Sequence, residues 1–555
     1  MGDGMKLFTT VLITIFFYSC VFAKMKPGLA PLPSAQVVLV IVVDQLAEYH
    51  LQDLIFKHGF KLFINQGFSY ENAHFNTAVP GTACDHTTLS SGTYASTHGI
   101  IANTWFNQDN KLIPAEQDNR FPLLDNPGQK ITGASAFNIM TDTLSDQVMF
   151  SQSATTPYQA VAVSVKARAA ICCGGRNGAV FWFNENTGNM TSSTAYFKEL
   201  PAWVTEFNKE HNPLVHLESI TWRPFYQDPN MYNRYIIAQN DFQPAPTIFN
   251  TTITLKKDGK IIDEHLELFE RTPAMDDILF PFAKLCFDQY KPTGKNDHLL
   301  FWLSVSTLDK IGHVHGPWSK EAIDYLYHLD AKLLDFMEYV QKSVGKENVL
   351  FVLTADHGTI QIPEQINRSP VPLGHRIYTK TLIEQMNHLI EQKYGISDAI
   401  IGYQAPGFYI NKQIDAQVKK AIAQDVKNML RALPQIKHVW TADELSKTCD
   451  KDAQPFKNQF YEGRSPDIIC EPTPYTLISK DPVGIDHASP YNYDTQVPLV
   501  FYWPGHLPPH RIYDPINMTQ LARTLSFILD VPPPSASVYQ VLPELLPCLT
   551  KKQKR

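Results

Sequence analysis

Three apolar runs each reach an aspartate at their carboxyl end, and this pattern restricts the fold more than any other feature of the chain. The runs are QVVLVIVVD (36–44), HLLFWLSVSTLD (298–309) and NVLFVLTAD (348–356). They are rich in β-branched residues and do not alternate with polar ones, which predicts strands buried on both faces of a parallel sheet. PLVFYWPG at 498–505 is a fourth run of this type. Helical periodicity separates the runs, clearest over 319–342 and 413–432. Buried strands alternating with helices predict an α/β fold, a doubly wound and mostly parallel sheet flanked by helices. Open sheets of this kind bind ligands at the carboxyl ends of their strands. Asp44, Asp309 and Asp356 are therefore expected to converge on one crevice.

The chain has 555 residues, of which 44% are hydrophobic and 19% charged, enough for one large enzyme domain with a substantial core. Its net charge of −7 speaks against nucleic acid as a specific partner, because phosphate neutralisation needs a basic face. Lys6 precedes the uncharged stretch LFTTVLITIFFYSCVFA, which ends at Ala23 with small residues at 21 and 23. This reads as a signal peptide over residues 1–23 and predicts a periplasmic or secreted protein with no membrane span after cleavage. Lipid anchoring at Cys20 is the lesser expectation, since Phe17-Tyr18-Ser19 is a poor context for it.

Residues 24–548 are expected to form one catalytic domain, with insertions at about 175–290 and 362–480 carrying substrate-side loops. Residues 549–555 form a basic tail. Monomer is the expected state. The eight cysteines include no CxxC pair, so a zinc knuckle is not indicated. Cys449 and Cys470, in one polar segment, are the first candidates for a disulfide in an oxidising compartment.

Metal-ligand residue types cluster at the strand ends. Asp309 and His313 stand four apart in STLDKIGHVHG, so a helical turn would place both on one face. TADHG supplies Asp356 and His357, GIDHASPYNYD supplies His487, and Asp44 closes the first run. Taken singly, a strand-end Asp is commonly a helix cap and an Asp-His-Gly a turn. Together they make three carboxylates and three imidazoles, a mixed oxygen and nitrogen set that suits zinc. The segment 79–105, VPGTACDHTTLSSGTYASTHGIIANTW, is dense in hydroxyls, Gly and His. It can act as a capping loop, or it can present a nucleophile at a helix N-terminus where backbone N–H groups favour an anion.

VVDQL, the Thr82-to-Asn103 stretch, SVKARAAI, LDKIGH, TADHG and DHASPYNYDTQVP recur in order through nearly the whole mature chain. In these segments the chain resembles the alkaline phosphatase superfamily, and most closely its phosphate-irrepressible PafA-type bacterial members, which share the type I phosphodiesterase/nucleotide pyrophosphatase-like fold. The resemblance implies two Zn2+ ions per chain. Asp44, Asp356 and His357 would hold one, which also touches the Thr82 oxygen. Asp309, His313 and His487 would hold the other, on the leaving-group side. Thr82 would be the nucleophile, and Asn103 would hydrogen-bond a phosphoryl oxygen. Lys166 and Arg168 would mark the branch acting on small-molecule phosphate monoesters.

The Lys-x-Arg spacing would place both cations on one face of a strand end. Related sequences carry Gly-Pro-Gly-His after the nucleophile, whereas this chain has Ala83-Cys84-Asp85-His86. Thr87 and Thr88 are alternative hydroxyls, though the spacing to Asn103 favours Thr82. His315 is a spare imidazole and not an expected ligand. A nucleotide pyrophosphatase/phosphodiesterase is the nearest alternative; a non-catalytic phosphate-binding surface protein is the more distant one.

Overall fold

The computed structural model describes residues 35–125, 133–235, 249–257, 260–366 and 373–550. The apolar run expected to be a signal peptide and the tail from residue 551 lie outside them. Among the described residues no helix is long and apolar enough to cross a membrane.

The apolar runs become the centre of a ten-stranded sheet. Its strands along the chain are β1 (Val37–Val43), β2 (Phe68–His74), β3 (Tyr158–Ser164), β4 (Ala179–Asn184), β5 (Asn189–Thr191), β6 (His298–Val305), β7 (Val349–Thr354), β8 (Gln496–Tyr502), β9 (His510–Ile512) and β10 (Ile516–Asn517). The spatial order is β9-β2-β8-β7-β1-β6-β3-β4-β5, with β10 pairing to β2. The stretch from β7 through β1, β6 and β3 to β4 is parallel throughout. β8 joins it antiparallel to β7, and β2 lies antiparallel to β8. The mostly parallel α/β sheet expected from the sequence is therefore the observed one. The fourth apolar run enters it with reversed direction, which an apolar run by itself does not encode.

Register explains the convergence of the three aspartates. β1 is fully buried along its length. It pairs Val43 with Val305 of β6 and Val42 with Thr354 of β7, so the three strands end level. Four helices matter below: α1 (Thr82–Ser91), α2 (Ala167–Gly174), α3 (Thr307–His315) and α4 (Lys320–Val344). α4 covers the 319–342 pattern and buries Ile323, Leu326, Leu329, Leu333, Phe336 and Val340, an apolar stripe at helical spacing.

The 362–480 segment contains a separate four-stranded antiparallel sheet of Ile400–Gln404, Gly407–Ile410, Ile468–Pro472 and Ile436–Thr441. Helices Thr379–Tyr394 and Ala416–Arg431 join it around a hydrophobic cluster of its own. Cys470 lies in this sheet, with its buried Sγ 3.6 Å from the Pro406 carbonyl, while Cys449 is exposed on a loop. The expected pairing of these two is not formed, because the strand turns Cys470 into the segment's core. All seven described cysteines are free.

Candidate active site

Each strand end delivers one carboxylate. Asp44 directly follows β1 and Asp356 lies two residues beyond β7. Asp309 stands in the first turn of α3, which follows β6. All three are buried. α3 then brings His313 round one turn, with its Nε2 3.2 Å from Asp309 Oδ1. His487, from the loop before β8, approaches the same oxygen to 3.6 Å. His357 Nε2 lies 3.3 Å from Asp44 Oδ1 and 3.5 Å from Asp356 Oδ2.

The donor atoms of Asp44, Asp356 and His357 gather within 4.8 Å of one another, the same three residues that the resemblance assigned to one ion. The second expected set is less closed. Asp309 and His487 group with His357, while His313 and His487 group with Asp486, a carboxylate that the sequence reading had not singled out. His315 is buried apart from these groups.

These residues fit metal ions. Asp44 Oδ1, Asp356 Oδ2 and His357 Nε2 are buried without a hydrogen-bond partner among the described residues, although such atoms are normally satisfied. The three imidazoles are held alike. Nδ1 of His313 contacts the Ile485 carbonyl at 2.8 Å, that of His357 the Gly358 carbonyl at 3.0 Å, and that of His487 the Pro80 carbonyl at 2.8 Å. A carbonyl can only accept, so each Nδ1 carries a proton and each Nε2 is the ring atom turned to the crevice.

Charge balance points the same way. Burial raises the Asp44 carboxyl, and Asp309 and Asp356 beside it raise it further. Burial would lower His357, but Asp356 and Asp44 outweigh it and bring it to about 10. His313 rises to about 9, where Asp309 overcomes the effect of burial. Protons on His313 and His357 and the charge of Lys166 offset the three carboxylates, a role that bound divalent cations would take over.

Thr82 opens α1 at the edge of this crevice. Gly81 precedes it and offers no capping side chain; Asp85 reaches back instead, accepting the Gly81 N–H at 2.8 Å. The departure at Ala83-Cys84-Asp85 is therefore compatible with a regular helix starting at Thr82. Cys84 is buried under the turn, its Sγ 3.2 Å from the Gly81 carbonyl. Thr87 and Thr88 spend their hydroxyls on the carbonyls of Ala83 and Cys84, one turn back within α1. Asn103 Oδ1 accepts the Ala83 N–H at 2.8 Å.

Lys166 Nζ lies 2.6 Å from Asp44 Oδ2, 2.5 Å from Asp309 Oδ2 and 3.4 Å from Thr82 Oγ1. Burial opposes its charge, but the two aspartates raise its pKa on balance. The Lys-x-Arg pair does not sit on a strand end. β3 stops at Ser164, Lys166 caps α2, and Arg168 is in its first turn. A helix start replaces the expected alternation, because Ala167–Gly174 continues as an apolar helical segment. Arg168 Nε has no hydrogen-bond partner among the described residues. With Lys166, Glu116, Asn184, Glu270 and Lys310 it lines a cleft of about 260 Å3.

Besides Asp486, two neighbours contact the site, His86, which was expected at most to orient the loop, and Gln45, which was not expected at all. His86 Nδ1 is 2.8 Å from the Thr82 carbonyl and 3.3 Å from Asp356 Oδ2, and its Nε2 contacts Ser304 Oγ at 2.8 Å. Its spacing of four from Thr82 on one helix was the available signal. Gln45 N and Nε2 donate to Asp356 Oδ1 and Asp309 Oδ1. Nothing in the pattern of residues marked it.

Residues 38–483 match the family described as type I phosphodiesterase / nucleotide pyrophosphatase. The chain belongs to this family. The match takes in every candidate metal-ligand and phosphoryl-site residue named above except Asp486 and His487, which lie three and four residues beyond its end. The chain is 27% identical over 558 residues to alkaline phosphatase PafA of Elizabethkingia meningoseptica, covering 96% of this chain and 98% of that one. The crystal structure of PafA alkaline phosphatase superposes with a TM-score of 0.83 at 25% identity, over 93% of this chain and 99% of that one. A variant of PafA with a Thr, an Asn, a Lys and an Arg replaced superposes with a TM-score of 0.81 at 25% identity, over the same shares of the two chains.

Proposed function

We propose that this protein is an exported phosphatase that hydrolyses phosphate monoesters to alcohol and inorganic phosphate, using two zinc ions and a phosphothreonine formed on Thr82. The phosphatase class rests on family membership and on full-length similarity to an alkaline phosphatase. The residue assignment gains support from the PafA variant. Its replaced Thr and Asn are 21 positions apart and its Lys and Arg two apart, the same separations as Thr82 to Asn103 and Lys166 to Arg168. The mixed carboxylate and imidazole donors favour zinc.

Bound divalent ions would lower the pKa of the Thr82 hydroxyl and stabilise charge on the leaving oxygen. The chain's own groups do the rest. The Thr82 oxygen attacks phosphorus at the start of α1, where backbone N–H groups favour an anion. The Thr82 hydroxyl proton passes to solvent, the ester P–O bond breaks, and the leaving oxygen takes a proton from water and departs as the alcohol. Asn103 holds one phosphoryl oxygen through its amide N–H. Lys166 supplies a compact positive charge, and the Arg168 guanidinium a planar two-pronged contact. Water then hydrolyses the phosphothreonine and restores Thr82. Inserted segments at about 175–290 and 362–480 would form the substrate side of a single catalytic domain.

The observation that carries the monoester reading is Lys166 Nζ at 3.4 Å from Thr82 Oγ1, a buried cation at the nucleophile. A monoester presents more anionic oxygens to such a cation than a diester, which has one of them blocked. The family's own description favours a phosphodiesterase as the second reading. A kinetic panel decides between them: a phosphate monoester, a diester and a sulfate ester, each with zinc-loaded and chelator-treated enzyme. Chelator-sensitive turnover highest on the monoester supports the proposal. Turnover highest on the diester replaces it with the second reading.

A further inference from the structure

Gln45 hydrogen-bonds one carboxylate from each expected metal-ligand set, and its backbone is in an unusual conformation. Its φ is +69°, in the left-handed region that non-glycine residues seldom enter. Strain of this kind persists where the surroundings fix it, commonly at functional sites. The turn after Asp44 aims the two donors of Gln45 at different carboxylates. Its backbone N–H donates to Asp356 Oδ1 at 3.2 Å, and its side-chain Nε2 donates to Asp309 Oδ1 at 2.8 Å. Asp309 Oδ1 is the oxygen that His313 and His487 also approach.

A glycine makes room for this bracket. On α3, a Cβ at Gly312 would fall 1.7 Å from Gln45 Oε1 and 2.8 Å from its Cδ, and the nearest atoms it would meet all belong to Gln45. The Gln45 amide thus occupies the space beside α3 that a side chain at residue 312 would fill.

We infer that Gln45 is a positioning residue that sets the spacing of the two metal sites. The inference rests on the two-metal reading above. The backbone N–H orients the Asp356 carboxylate of the inner site, and the side-chain amide orients the Asp309 carboxylate of the outer one. Partners of this kind orient ligands, and their loss typically costs about 10–100-fold in metal affinity. Gln45 acts through these carboxylates rather than on substrate.

Two variants approach the contact from opposite sides. Gln45→Asn keeps the backbone N–H and tolerates the left-handed conformation, but its amide is too short to reach Asp309. Gly312→Ala leaves Gln45 in place and displaces its amide, while alanine is the better helix former in α3. The full chain is titrated with zinc against a competing chelator, and the metal-free protein is melted in parallel. Asp309→Asn identifies which binding step belongs to the outer site.

Both variants are expected to weaken the outer zinc about 10–100-fold and to leave the inner step close to wild type. The metal-free melting temperature of Gly312→Ala should equal or exceed that of wild type. Wild-type affinity at both steps in both variants would overturn the inference while leaving the two-metal reading intact. So would a loss of affinity matched in each variant by a loss of metal-free stability, which would mark Gln45 as structural only. A wild-type chain that binds no zinc would overturn the two-metal reading, and this inference with it.

Discussion

Asn103 Oδ1 accepts the backbone N–H of Ala83 at 2.8 Å, and this bond fixes which end of the amide is left to donate. With the oxygen committed to the start of α1, Nδ2 is the end available to a phosphoryl oxygen beside Thr82. Asn103→Ala should lower kcat about 10²–10³-fold, the usual cost of removing one donor to an oxyanion. Asn103→Asp should be worse than Asn103→Ala. It keeps the acceptor for Ala83 but places a carboxylate against an anionic substrate. Steady-state kinetics on a monoester compares the two. Equal or better activity for Asn103→Asp would remove Asn103 from the phosphoryl site.

Replacing both Lys166 and Arg168 with Ala should damage monoester turnover far more than diester turnover. Each donor is worth on the order of 10²–10³ in rate against a fully charged phosphoryl group. A diester carries fewer anionic oxygens for the pair to hold. The ratio of the two kcat/KM values is the readout. Equal proportional losses on both substrates would contradict the monoester assignment.

Glu48 gives a prediction about stability that is independent of catalysis. It is buried beside Glu71, and burial first, with Glu71 second, pushes its carboxyl up to about 8 from an ordinary value of 4.5. The folded state therefore holds this proton more tightly than the unfolded chain. The associated stability is fully present below pH 4.5, declines as pH rises, and is lost by about pH 8. Glu48→Gln cannot ionise, so its melting temperature relative to wild type should rise between pH 5 and pH 8.5. A constant difference across that range would show that Glu48 is not held protonated.

Much of the site could be read from the sequence because strand ends have a strong local signature. Runs such as 36–44 are long and apolar, so they are buried strands, and parallel strands place their carboxyl ends together. That logic anticipated Asp44, Asp309 and Asp356 in one crevice. His313 followed from helical spacing within a single segment. Other features depend on contacts that no local pattern carries. β8 runs antiparallel although its apolar run looks like the others, because direction is set by the connection and not by composition. Lys166 and Arg168 sit at a helix start, since the apolar residues after them favour α2 over a longer strand. Cys470 was expected to pair with Cys449 in one polar segment and is packed in the separate sheet of the 362–480 segment. Gln45 was invisible because its meaning lies in Gly312, which is distant in sequence and adjacent in space.

The account turns on Thr82 as the group that carries the phosphoryl. Zinc-loaded enzyme can be mixed with a phosphate monoester, quenched in acid within a single turnover, digested, and analysed by mass spectrometry. The expected result is one phosphoryl group on the peptide containing Thr82, located at Thr82 by fragmentation and absent from Thr82→Ala, which should also lose most turnover. Phosphate on Thr87, Thr88 or no residue at all, with Thr82→Ala retaining wild-type turnover, would contradict it.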